Sequence, residues 1–289
     1  MDFSFSEEQE AVRELADRIF ADLSTQERLR ELELEPDGDR FDRKLWSELA
    51  AAGLLGIALP EAVGGAGLGF LEAGLLAEAA GRTAAYVPVV ETLAAEAPAI
   101  ARFGTDAQQQ RWLPDVVAGD SVLTTALVEL GGTPGAPATV AEPSGDGWIL
   151  TGVKACVPSG TFADAVLVSA RIEPDAVAVF LVGSGAEGLT IERQVANNGQ
   201  PEGLLTLSGT AVGPDALLGS VADGPAVIDW LVQRSTAALA LVQAGAAAAS
   251  IASWPSTPRP VSSSASPSRR SRPWASGPQT PTSTLRPSA

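Results

Sequence analysis

The cluster Gly64-Gly65-Ala66-Gly67-Leu68-Gly69 could do chemistry, because closely spaced glycines let a backbone approach a pyrophosphate at a helix N-terminus. That use requires a strand directly before the glycines and a crossover helix after them. Residues 54–59 could be a short strand, but Pro60-Glu61 intervenes and no βαβ pattern follows. A connecting loop is therefore the better reading, and an NAD-binding α/β oxidoreductase the lesser one. Elsewhere the chain is poor in reactive groups. It has no histidine, which removes Ser-His-Asp triads, histidine bases and histidine metal sites. Its one cysteine, Cys156, cannot form an internal disulfide or a cysteine zinc site, and it reads as a small buried filler rather than a nucleophile. Any chemistry must rest on carboxylates, hydroxyls, backbone dipoles or a bound cofactor. Glu129, in the β-rich part, reads as a solvated acid at a strand end.

The elements that must position these groups fall into a simple order. Ser6 and Gln9 form a capping box, and Val12, Leu15, Ala16, Ile19 and Phe20 follow at helical spacing. Phe41, Leu45, Trp46 and Leu49 make a second apolar stripe, closed by Gly53. Helical patterns continue over residues 70–80 and 87–103, and Thr105 is placed to cap a helix through Trp112 and Val116. Near Asp120 the period changes. Short β-branched runs lie at 122–128, 148–150, 165–170, 176–182, 189–191 and 204–207, separated by Gly, Pro, Asp and Ser. With no helix-length segment between them, they predict an antiparallel barrel or sandwich. A helical pattern returns from 226 to 253. The expected fold class is α+β: a helical domain (1–118), a middle β domain (119–222) and the first helix of a further helical domain (223–254). The run 235–251 is alanine-rich and reads as a buried helix, not a membrane span.

Composition excludes some partners. Asp and Glu number 35 against 19 Lys and Arg, a net charge of −16, so nucleic acid and anionic membrane surfaces are poor partners. The acidic opening Met1-Asp2-Phe3-Ser4 lacks the features of a secretory signal, and a cytoplasmic location is expected. Residues 255–289 change character: ten Ser, eight Pro, four Thr and five Arg, with no acid. Such a stretch cannot bury a core and is expected to be disordered.

Several strings in order resemble the acyl-CoA dehydrogenase family: Phe5-Ser6-Glu7-Glu8-Gln9, residues 54–61 running into Gly64–Gly69, and Gly152-Val153-Lys154. The resemblance extends over about 250 residues. It implies FAD between the middle β domain and the C-terminal helices, across a subunit interface. The implied chemistry is hydride transfer from Cβ of an acyl-CoA to the flavin while a glutamate removes the α-proton. It also implies an electron-accepting flavoprotein as partner and a homo- or hetero-oligomer of related subunits. Two segments are placed beside the flavin: Ala126, Leu127 and Val128 before Glu129, and Cys156, Pro158 and Ser159 after Lys154.

The chain departs from the family at both segments. Val128 stands at a threonine position, and Cys156 and Pro158 replace Trp and Thr. Pro158 has no N–H to donate, so flavin binding must use other backbone donors and Ser159. No catalytic base is named. The family usually carries it late in the C-terminal helices, or near Gln233, whose amide cannot take up a proton. A non-catalytic partner subunit of a heteromeric acyl-CoA dehydrogenase is the alternative reading. The 255–289 stretch also suits a frameshift near 250–254. In the alternative frame 261–267 can encode Leu-Gln-Phe-Gly-Lys-Pro, resembling part of the family's C-terminal signature. A genuine low-complexity tail is the competing reading.

Overall fold

A computed structural model describes residues 4–35, 38–172, 175–197 and 199–253. The Ser/Pro/Arg-rich stretch from 255 onward lies outside the described residues. Ser6 caps α1 (Glu7–Leu23): its Oγ accepts from the Gln9 N–H at 3.2 Å, and Gln9 Oε1 accepts from the Ser6 N–H at 3.0 Å. Thr25 caps a further helix, α2 (Gln26–Leu34), whose polar sequence carries no apolar stripe and which periodicity does not reveal. α3 (Arg43–Ala51) and α4 (Phe70–Thr83) follow. Between them residues 54–59 form turns rather than a strand, and the glycine cluster is a connecting loop.

The helical pattern at 87–103 divides into two forms. Val89–Glu96 is a π-helix, closed by the Ala97 N–H donating to the Thr92 carbonyl five residues back. α5 (Ala97–Phe103) continues from it. Pro98 explains the widening, because it has no N–H to continue the i−4 ladder. α6 (Asp106–Ala118) starts on the Thr105–Gln108 capping box. Gln108 does a second job: its buried Nε2 donates to the Asp215 and Leu217 carbonyls at 2.7 and 2.9 Å, tying α6 to the segment after the last strand. Gln108→Ala is expected to cost about 1–3 kcal/mol, since it leaves two carbonyls without that donor. Urea melts of the two proteins measure it, and an unchanged midpoint would refute the role.

The strands are β1 (Leu123–Ala126), β2 (Val140–Ser144), β3 (Gly147–Pro158), β4 (Ala165–Ile172), β5 (Ala176–Gly183), β6 (Leu189–Val195) and β7 (Pro201–Val212). They form one sheet, ordered β1-β4-β2-β3-β7-β6 with β5 beside β4. Pairing is mostly antiparallel. β1 runs parallel to β4, and β2 touches β4 parallel at the single pair Val140↔Arg171. No crossover helix is needed, because the chain returns through β2 and β3. β4 is apolar at nearly every position because it is buried on both faces. Ala165 and Leu167 join the core shared with the helices, while Val166, Val168 and Ala170 join a second core with Phe180 and Leu205.

The last described helix, α7 (Gly224–Ala252), lies against α4 and departs from expectation. In its most apolar 18-residue window only 11% is buried, so the alanine-rich run is largely exposed, with Leu239 and Ile251 among the exposed apolar side chains. Val221–Ala252 is also the one described stretch long and apolar enough by length and composition to cross a membrane, with mean hydropathy 1.5. Scattered Ser, Thr and Gln interrupt its apolar runs and hide this from inspection. Alanines are small, so one narrow strip suffices to dock the helix, and the rest of its surface stays uncovered.

Candidate functional site

The two segments implied beside a flavin are neighbours in the structure. The Ala155 N–H donates to the Val128 carbonyl at 3.0 Å, and Thr124 Oγ1 donates to the Pro158 carbonyl at 2.5 Å. Pro158 and Ser159 line a cavity of about 520 Å³, together with Tyr86, Glu91 and the α7 residues Leu239 and Val242. Ala126 is fully buried in β1, Leu127 is buried beyond it, and Val128 is exposed.

Ala126, Leu127, Val128 and Cys156 do not line this cavity, and the backbone donors of the two segments are unevenly available. The Ser159 N–H is engaged by the Pro201 carbonyl at 2.8 Å, and the Cys156 N–H by Gln194 Oε1 at 2.7 Å. Pro158 has none. By contrast, neither the Leu127 nor the Val128 N–H meets a protein acceptor among the described residues. The Ser159 hydroxyl makes no hydrogen bond among the described residues, and Ser159 lines the cavity. Free backbone donors thus remain at the β1 end, outside the cavity lining, and one hydroxyl stands on the lining itself.

Cys156 corrects its expected role as a buried filler, because it is exposed. The register between β3 and β7 slips between Lys154 and Val157, and Cys156 takes φ 52° at that bulge. An extra residue in one strand breaks the in–out alternation and turns its side chain outward. The slight desolvation of its sulfur, with the charge of Glu202 close by, pushes the thiol up, so it stays protonated at neutral pH.

Glu129 corrects its expected role as well, since it is buried. Its Oε1 accepts from Lys154 Nζ at 2.5 Å, from Thr139 Oγ1 at 2.6 Å and from the Thr139 N–H at 3.1 Å. Oε2 accepts from the Ala138 N–H at 2.5 Å. Lys154, with no exposed surface, also donates to Ser169 Oγ at 3.0 Å. Burial pushes the Glu129 carboxyl up, but the hydrogen bonds from Lys154, Thr139 and Ala138 outweigh it and hold the group below its ordinary value. A carboxylate so fully engaged is a strut that pins the β1 end to β3. Gly152 makes room for it: a Cβ there would stand 2.4 Å from Thr139 Oγ1.

Glu91, on the π-helix, is the lining residue that sequence reading missed. It sits partly buried in the cavity wall, and burial raises its pKa. Glu96 is fully buried with neither carboxyl oxygen hydrogen-bonded; burial first and Glu91 second push its pKa well up. The usable signal was the pair of acids inside an otherwise apolar helical stretch. Gln233 is exposed on α7 and does not line this cavity.

The frame is thus a helical layer, a sheet whose strand ends open on a cavity, and a long helix closing that cavity. The family model described as acyl-CoA dehydrogenase, N-terminal domain, matches residues 6–120. Acyl-CoA dehydrogenase FadE27 of Mycobacterium tuberculosis is 38% identical over 246 residues, covering 85% of this chain and 63% of FadE27. The solved ChsE4–ChsE5 complex from Mycobacterium tuberculosis has a chain 34% identical, with TM-score 0.81, covering 91% of this chain and 71% of that one. A variant of the Tcur3481–Tcur3483 steroid ACAD is 44% identical, with TM-score 0.78, over 85% of this chain and 65% of that one. The chain belongs to the acyl-CoA dehydrogenase family. It spans about two thirds or less of the length of FadE27 and of that steroid ACAD chain.

Proposed function

We propose that this chain is a flavoprotein subunit of acyl-CoA dehydrogenase type, holding FAD beside an acyl-CoA whose Cα–Cβ bond is oxidised. The observation that carries this is the contact of β1 with the end of β3, where Thr124 Oγ1 donates to the Pro158 carbonyl, beside the 520 Å³ cavity that Pro158 and Ser159 line. Bound FAD supplies a two-electron acceptor for a hydride leaving Cβ. The chain's own residues do the rest of the positioning. The Leu127 and Val128 N–H groups and the Ser159 hydroxyl offer donors to the ring edge. Val87, Val89 and Leu239 give the acyl chain an apolar wall that excludes water. An electron-accepting flavoprotein is the implied onward partner.

The chain expressed alone should bind added FAD, turn yellow, and lose its flavin absorbance when an acyl-CoA is added. A protein that stays colourless at saturating FAD defeats the reading. Ser159→Ala removes one neutral donor and should weaken FAD binding about three- to tenfold, measured by flavin fluorescence. An unchanged affinity removes Ser159 from the site.

A second reading is favoured by two positions, Glu129 and Gln233. Glu129 has both oxygens engaged, and Gln233 is a neutral amide. The chain would then complete the flavin site of a related, glutamate-bearing subunit; ChsE4–ChsE5 is, by name, a complex of two proteins. Co-expression with a related chain should yield a stable hetero-oligomer that turns over acyl-CoA. Full turnover by the lone chain excludes this reading.

A further inference from the structure

A second cavity, of about 460 Å³, uses other residues of the π-helix, Leu93 and Ala94, together with the glycine loop before α4 and the residues Arg102, Trp230 and Arg234. Two guanidiniums stack there on one indole ring. Arg102 Cζ lies 4.6 Å and Arg234 Cζ 4.1 Å from the centroid of the same Trp230 ring, and Arg234 is also 4.4 Å from that of Phe70. Stacking on aromatic faces orients both forks but does not neutralise them. Neither arginine makes an ion pair among the described residues, although acids outnumber bases 35 to 19. Trp230 adds a buried Nε1–H without an acceptor. Burial, and then the charge of Arg102, push the Arg234 guanidinium down. Two like charges on the rim of one cavity, the exposed Arg102 and the half-buried Arg234, with no carboxylate paired to either among the described residues, leave an anion's place open.

We infer that this cavity binds a small molecule through an oxyanion, a phosphate or carboxylate group bridged by Arg102 and Arg234. The planar guanidinium offers paired N–H donors that match two oxygens of either group, and two such forks suit a shared anion better than a lone lysine would. A volume of 460 Å³ leaves room for more than the anion itself and falls within the range of about 300–1,000 Å³ usual for small-molecule sites. The cavity shares no lining residue with the one beside Ser159, so this inference stands apart from the flavin reading.

The test uses the full chain without added FAD. Inorganic phosphate and acetate are titrated separately, following tryptophan fluorescence and heat, against wild type, Arg102→Gln, Arg234→Gln and the double variant. Saturable binding by wild type is expected, weakened about tenfold or more in each single variant and lost in the double one. Tighter phosphate identifies a phosphate ester as the ligand class, and tighter acetate a carboxylate. Circular dichroism checks that the variants fold. Arg102 is exposed, so Arg102→Gln keeps the test alive if Arg234→Gln unfolds. Without anion, Arg102→Gln should melt no lower than wild type, because it relieves repulsion, and phosphate should raise its melting temperature less. Four results overturn the inference: no saturable binding of either anion, binding unchanged in the double variant, a lowered melting temperature in Arg102→Gln with full phosphate response, or loss of binding when a related chain is co-expressed. The last would show the cavity covered by the partner chain and not by a small molecule.

Discussion

Lys154→Met should unfold the chain or lower its stability by about 3–5 kcal/mol, because it leaves the Glu129 carboxylate buried without its cation. Thr139 and Ala138 would still donate to the carboxylate, yet the charge would remain uncompensated in a site with almost no solvent access. Glu129→Gln should cost less: the amide keeps an acceptor for Thr139, but Lys154 loses its counter-charge. The pair also sets an acid limit. Because the folded protein holds the Glu129 carboxyl below its ordinary value of 4.5, its contribution is present above that pH. It is lost as pH falls through the folded value, where the carboxyl protonates. Urea melts across this range should show the wild type losing stability more steeply than Glu129→Gln. If Lys154→Met melts like wild type at neutral pH, the network is not what joins β1 to β3.

The other large effect concerns the contact of α4 with α7. A Cβ on Gly81 would stand 2.0 Å from the Val242 carbonyl oxygen, and one on Gly245 would stand 2.0 Å from the Glu78 carbonyl oxygen. Each glycine thus admits the other helix's backbone, and neither obstacle is a side chain that can turn away. Gly81→Ala and Gly245→Ala should each force the helices apart, costing about 1–3 kcal/mol or more. Gly81, Leu239, Val242 and Ala246 all line the cavity beside Ser159, so the same shift should weaken ligand binding there. Gly74→Ala is the control. Its Cβ would meet only the tip of Leu241, a flexible end that can move, and its cost should be small. Equal melting temperatures for all three variants would disprove a backbone-limited crossing.

Local patterns carried much of the architecture. Ser6 with Gln9 and Thr105 with Gln108 act as caps because a capping box involves residues three apart. The β-branched runs became strands, although β2, with Pro143 and Ser144, does not look like one and is held by pairing with β3. The π-helix hid inside an ordinary helical pattern, since nearly all of its side chains are buried and no apolar period distinguishes its wider turn.

The sequence by itself determined the order of helix, sheet and helix, the absence of histidine chemistry and the resemblance that names the family, because each depends on residue type, local spacing or ordered strings. Only the tertiary structure decided where the charges and small residues went. Glu129 and Lys154 are 25 residues apart, and the β1–β3 junction turns an apparently solvated acid into a buried ion pair. A one-residue bulge turned Cys156 outward, and two glycines on separate helices set how closely α4 and α7 approach. These outcomes come from backbones meeting across long sequence separations, where burial and desolvation, not local preference, set the energy.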